Sequence, residues 1–197
     1  HGLAPVIAVV DGTGSTWNNP VCTDSPTGGN VRTYLTRDVP AWLISRLDVD
    51  PDRADWTIGG LSYGGTCALQ VVTGDPDSYG AVLDLSGERT PVDSQGDHAG
   101  TVRDYFGGSA DAFRAANPED LLTVHAGDGT YAGTTAWFVA GRADRTSVSD
   151  LGVLADLAER AGMDVTVRKV AGGHDFQTWR SGLRDAFPAL ASRAGLP

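Results

Sequence analysis

Short apolar runs alternate with longer amphipathic patterns along this chain, and clusters of glycine or proline separate them. This alternation is typical of α/β domains with a mostly parallel sheet, because each amphipathic helix returns the chain for the next strand and covers the sheet. We predict at least five strands, which are residues 6–10, 56–61, 81–85, 136–140 and 165–170.

Three amphipathic patterns predict helices between and after these strands. The first begins at a candidate N-cap, Asn30, and Pro40 is expected to kink or split it. The second begins at Ser149, and the last covers residues 176–192, where Pro188 is expected to break the helix.

Residues 88–133 depart from this alternation, since they are polar and rich in glycine and contain one short helical pattern at 110–116. Strands of the same type stand on both sides, and no flexible linker separates them. We interpret residues 1–197 as a single α/β domain in which this stretch is an excursion over a site.

The charge of the chain excludes some partners. It carries 25 acidic and 15 basic residues, for a net charge of −10, so its field repels nucleic acid backbones and no nucleic acid partner is expected. The longest apolar run, residues 3–10, is far shorter than the ~20 residues that cross a bilayer.

The two cysteines, Cys22 and Cys67, have neither the spacing of a redox C-x-x-C motif nor that of a zinc site. We predict that they form a disulfide, and the alternative is two independent buried thiols. A disulfide would place the protein outside the cytoplasm, either secreted or in the cell envelope.

The segment Gly60-Leu61-Ser62-Tyr63-Gly64 is a G-x-S-x-G motif between a predicted strand and a helical pattern. In a nucleophile elbow the serine occupies a strained turn, small residues on either side prevent clashes, and the following helix points its N-terminus at the developing oxyanion. Ser62 is therefore the candidate nucleophile. The alternative is an ordinary glycine-rich turn with a serine cap.

A serine nucleophile needs a hydrogen-bonded base, which is usually a histidine. His174 follows the last predicted strand in a glycine-containing loop, residues 171–175, and is the candidate base. His1 is terminal, whereas His98 and His125 lie in the polar excursion. No i, i+4 pairing of histidines indicates a metal site, and none is predicted.

Enzymes with this elbow place their triad residues in the order serine, acid, histidine. Asp144 lies a few residues beyond the predicted strand that precedes the strand of His174, so it is the candidate acid. Asp150 fits better in the first turn of the following helix, where a carboxylate favours the helix dipole. Asp128 is a third, weaker alternative.

Four segments resemble the esterase D and antigen 85 group of α/β-hydrolases. They are TYLTRDVPAWL at 33–43, PDSYGA at 76–81, FGG at 106–108 followed by NP at 117–118, and GHDFQTW at 173–179. The likeness runs over nearly the whole chain.

The resemblance implies an α/β-hydrolase fold with Ser62, Asp144 and His174 as the triad and the amide of Tyr63 as one oxyanion donor. It also implies ester substrates, including thioesters, lipid esters and sugar esters, without a metal or organic cofactor. We therefore expect a serine carboxylic-ester hydrolase. One alternative is an acyltransferase of the antigen 85 type, with a sugar or lipid hydroxyl as acceptor. Another is a non-catalytic binding domain on the same fold.

Two tryptophans are candidate substrate-binding residues. Trp17 lies in a polar loop near where substrate approaches in the family, and Trp179 follows the histidine loop. Each is expected to line the acyl or alcohol cleft.

An α/β-hydrolase places several strands before its nucleophile, whereas only residues 6–10 precede this one. The segment from Asp11 to Ser15, followed by Asp24-Ser25 and the helix of Tyr34, resembles the family's fourth strand and its exit, so the chain is expected to lack the first strands of the full fold. The alternative is that this segment is the oxyanion loop, with the amide of Thr13 as the second donor. Any membrane or cell-envelope association would come through segments that this chain does not contain.

Overall fold

The computed structural model describes residues 5–14 and 19–196. The strands are β1 (Asp24–Ser25), β2 (Gly29–Asn30), β3 (Thr57–Leu61), β4 (Ala81–Leu85), β5 (Thr135–Gly141) and β6 (Asp164–Val170). The helices are α1 (Val31–Thr33), α2 (Val39–Arg46), α3 (Tyr63–Gly74), α4 (His98–Tyr105), α5 (Ala110–Arg114), α6 (Pro118–Val124), α7 (Arg145–Arg160) and α8 (Phe176–Arg193).

Strands β3, β4, β5 and β6 form a parallel sheet in that order, which confirms the predicted fold class. The small β1–β2 pair is antiparallel and lies outside this sheet. Register places Gly60, Asp84 and Phe138 side by side across three strands. The carboxyl ends of all four strands therefore meet at one edge, where the loops that follow them can converge.

The strand predicted at residues 6–10 is wrong, because the structure contains no ladder there. Val6, Ile7 and Val9 are 53%, 69% and 96% exposed. A strand needs a neighbour to take up its backbone N–H and C=O groups, and no described residue serves as one. Likewise β3 pairs only with β4, so its other edge is open within the described part of the chain.

Helices cover both faces of the sheet, because successive side chains of a strand point to opposite sides. On one face Val82 and Phe138 pack with residues of α3, α6 and α7. On the other face Leu83, Trp137 and Val139 pack with residues of α8. All five residues of β4 are buried, as expected for a strand enclosed between two helical layers.

The first predicted helix is interrupted as Pro40 suggested. A π-helical stretch, Tyr34–Asp38, separates α1 from α2. Proline has no N–H to donate to the carbonyl four residues earlier, and a wide turn before it accommodates the missing bond.

Two other helix predictions need correction. Helix α7 begins at Arg145 rather than at Ser149, because Asp144 caps it. Helix α8 continues through Pro188 to Arg193. Pro188 and Arg184, whose carbonyl loses its N–H partner, are both exposed, so water can satisfy that carbonyl.

The polar stretch at 88–133 contains three short helices, α4 to α6, where one was predicted. Side-chain caps start two of them: Asp97 accepts from Ala99 N at 3.1 Å, and Ser109 accepts from Ala112 N at 3.1 Å. Leu122 of α6 is fully buried in the core. Among the described residues, no helix combines the length and apolar character needed to span a bilayer.

Candidate active site

Ser62 occupies the turn between β3 and α3 with φ of 52° and ψ of −125°. Positive φ is rare for a residue with a Cβ and costs about 1–3 kcal/mol, so the surroundings must impose it. A Cβ added to Gly60 would lie 2.4 Å from the backbone of Gly64, which explains the small residues of the motif. The amide of Ser62 donates to the carbonyl of Leu85 at 2.8 Å, which fixes the turn to the edge of the sheet.

Ser62, His174 and Asp144 lie together in the structure. His174 Nε2 lies 2.9 Å from Ser62 Oγ, and His174 Nδ1 lies 2.7 Å from Asp144 Oδ2. The imidazole therefore stands between a hydroxyl and a carboxylate, with one ring nitrogen on each. With the Nδ1–H donating to the carboxylate, Nε2 is left as the acceptor for the hydroxyl proton.

Asp144 has two roles, because its two oxygens have different partners. Oδ1 accepts a hydrogen bond from the amide of Ser147 at 3.2 Å and so caps α7, while Oδ2 faces His174. Burial acts to raise the pKa of Asp144, but the hydrogen bonds from His174 and Ser147 outweigh it and hold the pKa below its ordinary value. The carboxylate is therefore ionised at neutral pH.

Glycines allow the histidine loop to cross close to the end of β5. A Cβ added to Gly141 would lie 2.5 Å from the carbonyl oxygens of both Gly172 and Gly173. Gly172 has φ of 116°, which a residue with a Cβ rarely adopts. Asp175 then accepts from the amide of Thr178 at 2.9 Å and caps α8, so the loop that carries His174 is fixed at both ends.

Trp179 packs against the ring of His174. Its ring is perpendicular to that of His174 at 87°, with 5.0 Å between centroids, and the residue is 8% exposed. This burial leaves little ring surface for a substrate, and substrate contact by Trp179 stays a prediction. Trp17 lies outside the described residues.

Helix α3 begins directly after Ser62, so its first amides lie in the turn that carries this serine. No described residue accepts from the amide of Tyr63, which stands in the first turn, whereas Gly65 N and Thr66 N donate to the carbonyl of Ser62. The amide of Thr13 donates to Asp11 Oδ1 at 2.9 Å, so this amide takes part in a local turn. Tyr63 therefore remains the candidate oxyanion donor, and the geometry does not favour Thr13.

The disulfide predicted between Cys22 and Cys67 is formed, and it joins the loop before β1 to α3. A disulfide sulfur carries no proton, so the hydroxyl of Tyr63 donates to Cys22 Sγ at 3.0 Å. Burial raises the pKa of the Tyr63 phenol far above its ordinary value, which keeps that donor protonated. The side chain of Tyr63 is thus anchored to the disulfide.

His98, His125 and the alternative acid Asp128 have local partners, and His1 lies outside the described residues. His125 Nδ1 lies 2.7 Å from Asp128 Oδ2, and the ring of His98 contacts Phe113 edge to face. Hydrogen bonds, first from Thr130 and then from His125, lower the pKa of Asp128 to about 2. Within the described residues no group of three or more histidine, cysteine, aspartate or glutamate side chains could hold a metal ion.

Sequence reasoning missed two carboxyl groups near the elbow. Asp84 is fully buried on β4, where its Oδ1 accepts from Gly87 N at 2.7 Å and its Oδ2 has no partner. Burial raises its pKa to about 7. A charged residue inside the apolar run 81–85 was the signal for it. Glu88 lies just beyond β4, and its position in the polar excursion concealed it.

Comparison with known proteins places this geometry in context. A family model described as "Putative esterase" matches residues 4–190. The chain is 48% identical to an uncharacterized protein of Corynebacterium glutamicum over 197 residues, which cover 99% of this chain and 46% of that protein. The chain thus spans about half the length of this curated relative.

Two solved structures share the fold. The S-formylglutathione hydrolase of Agrobacterium tumefaciens matches with a TM-score of 0.71 and 18% identity, covering 89% of this chain and 63% of that one. MPT51 (FbpC1) of Mycobacterium tuberculosis matches with a TM-score of 0.60 and 16% identity, covering 89% and 73%. These likenesses confirm the α/β-hydrolase architecture and the resemblance found in the sequence.

Proposed function

Because this chain belongs to the family described as "Putative esterase", we propose that it is a serine carboxylic-ester hydrolase with Ser62, His174 and Asp144 as its catalytic triad. The observation that carries the proposal is that the imidazole of His174 contacts both other residues. Its Nε2 lies 2.9 Å from Ser62 Oγ, and its Nδ1 lies 2.7 Å from Asp144 Oδ2. A serine hydroxyl is a poor nucleophile at neutral pH, and a base oriented by a carboxylate is the arrangement that activates it.

In the first half of the reaction, Ser62 Oγ attacks the carbonyl carbon of the ester and His174 Nε2 takes the hydroxyl proton. The amide of Tyr63 donates to the oxyanion of the tetrahedral intermediate. When the intermediate collapses, the bond to the alcohol oxygen breaks and His174 returns its proton to that oxygen. Asp144 stays ionised and stabilises the imidazolium, consistent with its lowered pKa.

In the second half, water replaces the departed alcohol. His174 Nε2 takes a proton from the water, and the water oxygen attacks the carbonyl carbon of the acyl-enzyme. A second oxyanion forms and accepts a hydrogen bond from the amide of Tyr63. Collapse breaks the bond to Ser62 Oγ, which recovers its proton from His174, and the carboxylic acid is released. The enzyme returns to its initial state without any added group.

The substrate we propose is a small-molecule or lipid carboxylic ester. An extracytoplasmic location fits the disulfide between Cys22 and Cys67, since disulfides persist in oxidising compartments. The net charge of −10 argues against polyanionic partners such as nucleic acid.

The test is active-site labelling followed by an ester panel. A fluorophosphonate should form one adduct on Ser62 of the folded protein and none on the Ser62→Ala variant. Short-acyl, long-acyl and aminoacyl esters should then be assayed with water alone and with added alcohols. A folded protein that neither labels nor turns over any ester would overturn the proposal, and transfer to alcohol exceeding hydrolysis would make it an acyltransferase.

A further inference from the structure

Helix α8 exposes an apolar stripe on the side that faces away from the sheet. Its other side is buried against the sheet through residues that include Trp179, Ala186 and Leu190. On the outer side Phe176, Leu183 and Phe187 are 74%, 45% and 38% exposed. These three are separated by seven and four residues, which places them along one line of the helix. An exposed apolar stripe of this kind marks an interaction surface.

Two arginines accompany the stripe. Arg180 lies one turn after Phe176, and Arg184 lies one turn before Phe187. Both are exposed, and neither takes part in an ion pair among the described residues. Asp185 is the acidic residue of α8, and it follows Phe176 by nine residues, which places it on the opposite side of the helix. The outer face of α8, formed by the apolar stripe and these two arginines, is therefore positively charged.

The edge strand β6 adds a cation beside this face. The guanidinium carbon of Arg168 lies 5.6 Å from the ring centroid of Trp137, which packs in the cluster beneath α8. Arg168 is therefore on the side of the sheet that α8 covers, and it is exposed. The net charge of the chain is −10, but at physiological ionic strength a charge acts over about 8 Å. The outer face of α8 thus presents local positive charge on an acidic protein.

Charge distinguishes this face from other exposed apolar residues. Helix α2 also exposes Trp42 and Ile44. However, Asp38 directly precedes α2, and Asp48 lies two residues beyond its end. Exposed apolar side chains with flanking acids do not suit an anionic surface, whereas apolar side chains with flanking arginines do. The argument therefore depends on the combination found in α8 and not on exposure alone.

The outer face of α8 begins beside the candidate active site. The ring of Phe176 lies 5.1 Å from that of Trp179, and the ring of Trp179 lies 5.0 Å from that of His174, between centroids. Two ring contacts therefore connect the first residue of the stripe to the candidate base. A surface bound along α8 would lie next to this histidine.

We propose that the outer face of α8 binds the surface of an anionic phospholipid bilayer. The apolar stripe enters the interface, and Arg180 and Arg184 contact lipid phosphates. The proposal also names the substrate class as a lipid ester drawn from that bilayer. This second part rests on the proposed function, whereas the binding needs no turnover.

The first test measures co-sedimentation of the chain with lipid vesicles. Binding to phosphatidylcholine vesicles that contain phosphatidylglycerol should exceed binding to pure phosphatidylcholine vesicles, and high salt should weaken it. Arg180→Gln with Arg184→Gln should lower the partition coefficient by about 10-fold to 30-fold, because each arginine near an anionic surface contributes to binding. Arg46→Gln with Arg160→Gln removes the same charge from exposed positions elsewhere and should bind like wild type.

The second test addresses the apolar stripe. Leu183→Ser with Phe187→Ser should lower the partition coefficient by about tenfold, because less apolar surface enters the interface. Trp42→Ser with Ile44→Ser is the matched control in α2 and should bind like wild type. Circular dichroism verifies that each variant is folded.

Three results would overturn the inference. They are equal binding to both kinds of vesicle, an equal loss of binding in the α8 variants and their controls, and a lipid-free dimer that Leu183→Ser with Phe187→Ser abolishes. The dimer would show that a second copy covers this face.

Activity separates this inference from the proposed function. Hydrolysis of a water-soluble short-chain ester should be the same in wild type and in Arg180→Gln with Arg184→Gln. A chain that binds anionic vesicles but neither labels with a fluorophosphonate nor turns over esters would refute the esterase and support the face. An active esterase that does not bind anionic vesicles would refute the face alone.

Discussion

The hydroxyl of Tyr63 donates to the sulfur of Cys22 across 3.0 Å, so the disulfide directly contacts the residue that follows Ser62. The turn at Ser62 is therefore held both by the sheet, through its hydrogen bond to Leu85, and by the disulfide. Cys22 and Cys67 are both nearly fully buried, at 2% and 7% exposed, which makes this support part of the core.

Replacing both Cys22 and Cys67 with serine should destabilise the protein by about 3 to 4 kcal/mol, because the bridge closes a long loop in the unfolded chain. The sequence separation is 45 residues. Denaturant unfolding of the variant, beside wild type with and without reductant, measures this loss. Equal stability of the oxidised wild type and the double variant would show that the disulfide adds nothing.

The Ser62→Ala variant should lose turnover by about 10⁴-fold to 10⁶-fold and yet remain folded. Alanine removes the nucleophilic oxygen and leaves the turn without any added volume, although the strained φ of 52° remains. Ester hydrolysis by a rigorously purified variant, with circular dichroism as the check on folding, gives the answer. Activity near the wild-type level would mean that another residue is the nucleophile.

Asp144 can be tested in a way that separates catalysis from capping. Asparagine caps a helix as well as aspartate does, so Asp144→Asn should keep the stability of α7 while kcat falls by about 10⁴-fold. Asp144→Ala should lose similar activity and, in addition, about 1 kcal/mol of stability. Steady-state kinetics and thermal unfolding of both variants distinguish the two roles. An active Asp144→Asn enzyme would contradict the assignment of the acid.

Asp84 should make stability depend on pH. Burial raises its folded pKa from 3.8 to about 7, so the folded state binds this proton more tightly than the unfolded state. The stability contributed by that proton is fully present below the unfolded pKa and is lost as pH rises to the folded value. Between pH 3.8 and about pH 7, the free energy of unfolding therefore falls by about 4 kcal/mol.

Above neutral pH, an Asp84→Asn variant should therefore have a free energy of unfolding in urea about 1 to 3 kcal/mol larger than that of wild type. The gain is smaller than the full effect of Asp84 because the new amide is also buried and costs stability. Below pH 4 the advantage should vanish. The exposed Asp156→Asn change is the matched control, since it removes a charge from the surface of α7. Parallel pH profiles for the Asp84→Asn variant and the wild type would refute this account.

The parallel sheet and the proximity of Ser62, Asp144 and His174 could be predicted because local chemistry determines the strands and the turns that carry these residues. Each run from β3 to β6 is apolar and bounded by turn residues, and the elbow and the histidine loop depend on glycines that the sequence displays. The structure brings Ser62, Asp144 and His174 into the arrangement that their chain order suggested.

Other features depend on contacts that no local pattern reveals. Residues 6–10 have the composition of a strand, but a strand also requires a neighbour, and composition carries no information about one. The apolar pattern predicts the start of α7 too late, because the first turn after the Asp144 cap is mostly polar.

The two edges of the sheet differ in how well they resist self-association. The edge strand β6 carries Arg168 and Lys169, charges of the kind that discourage a second strand from pairing. The opposite edge strand, β3, has no second partner among the described residues, and its sequence Thr-Ile-Gly-Gly-Leu contains no charge or proline that would discourage pairing there. Within the described part of the chain this edge is the less protected of the two, so we expect self-association at high concentration to occur by intermolecular β-pairing along Thr57–Leu61.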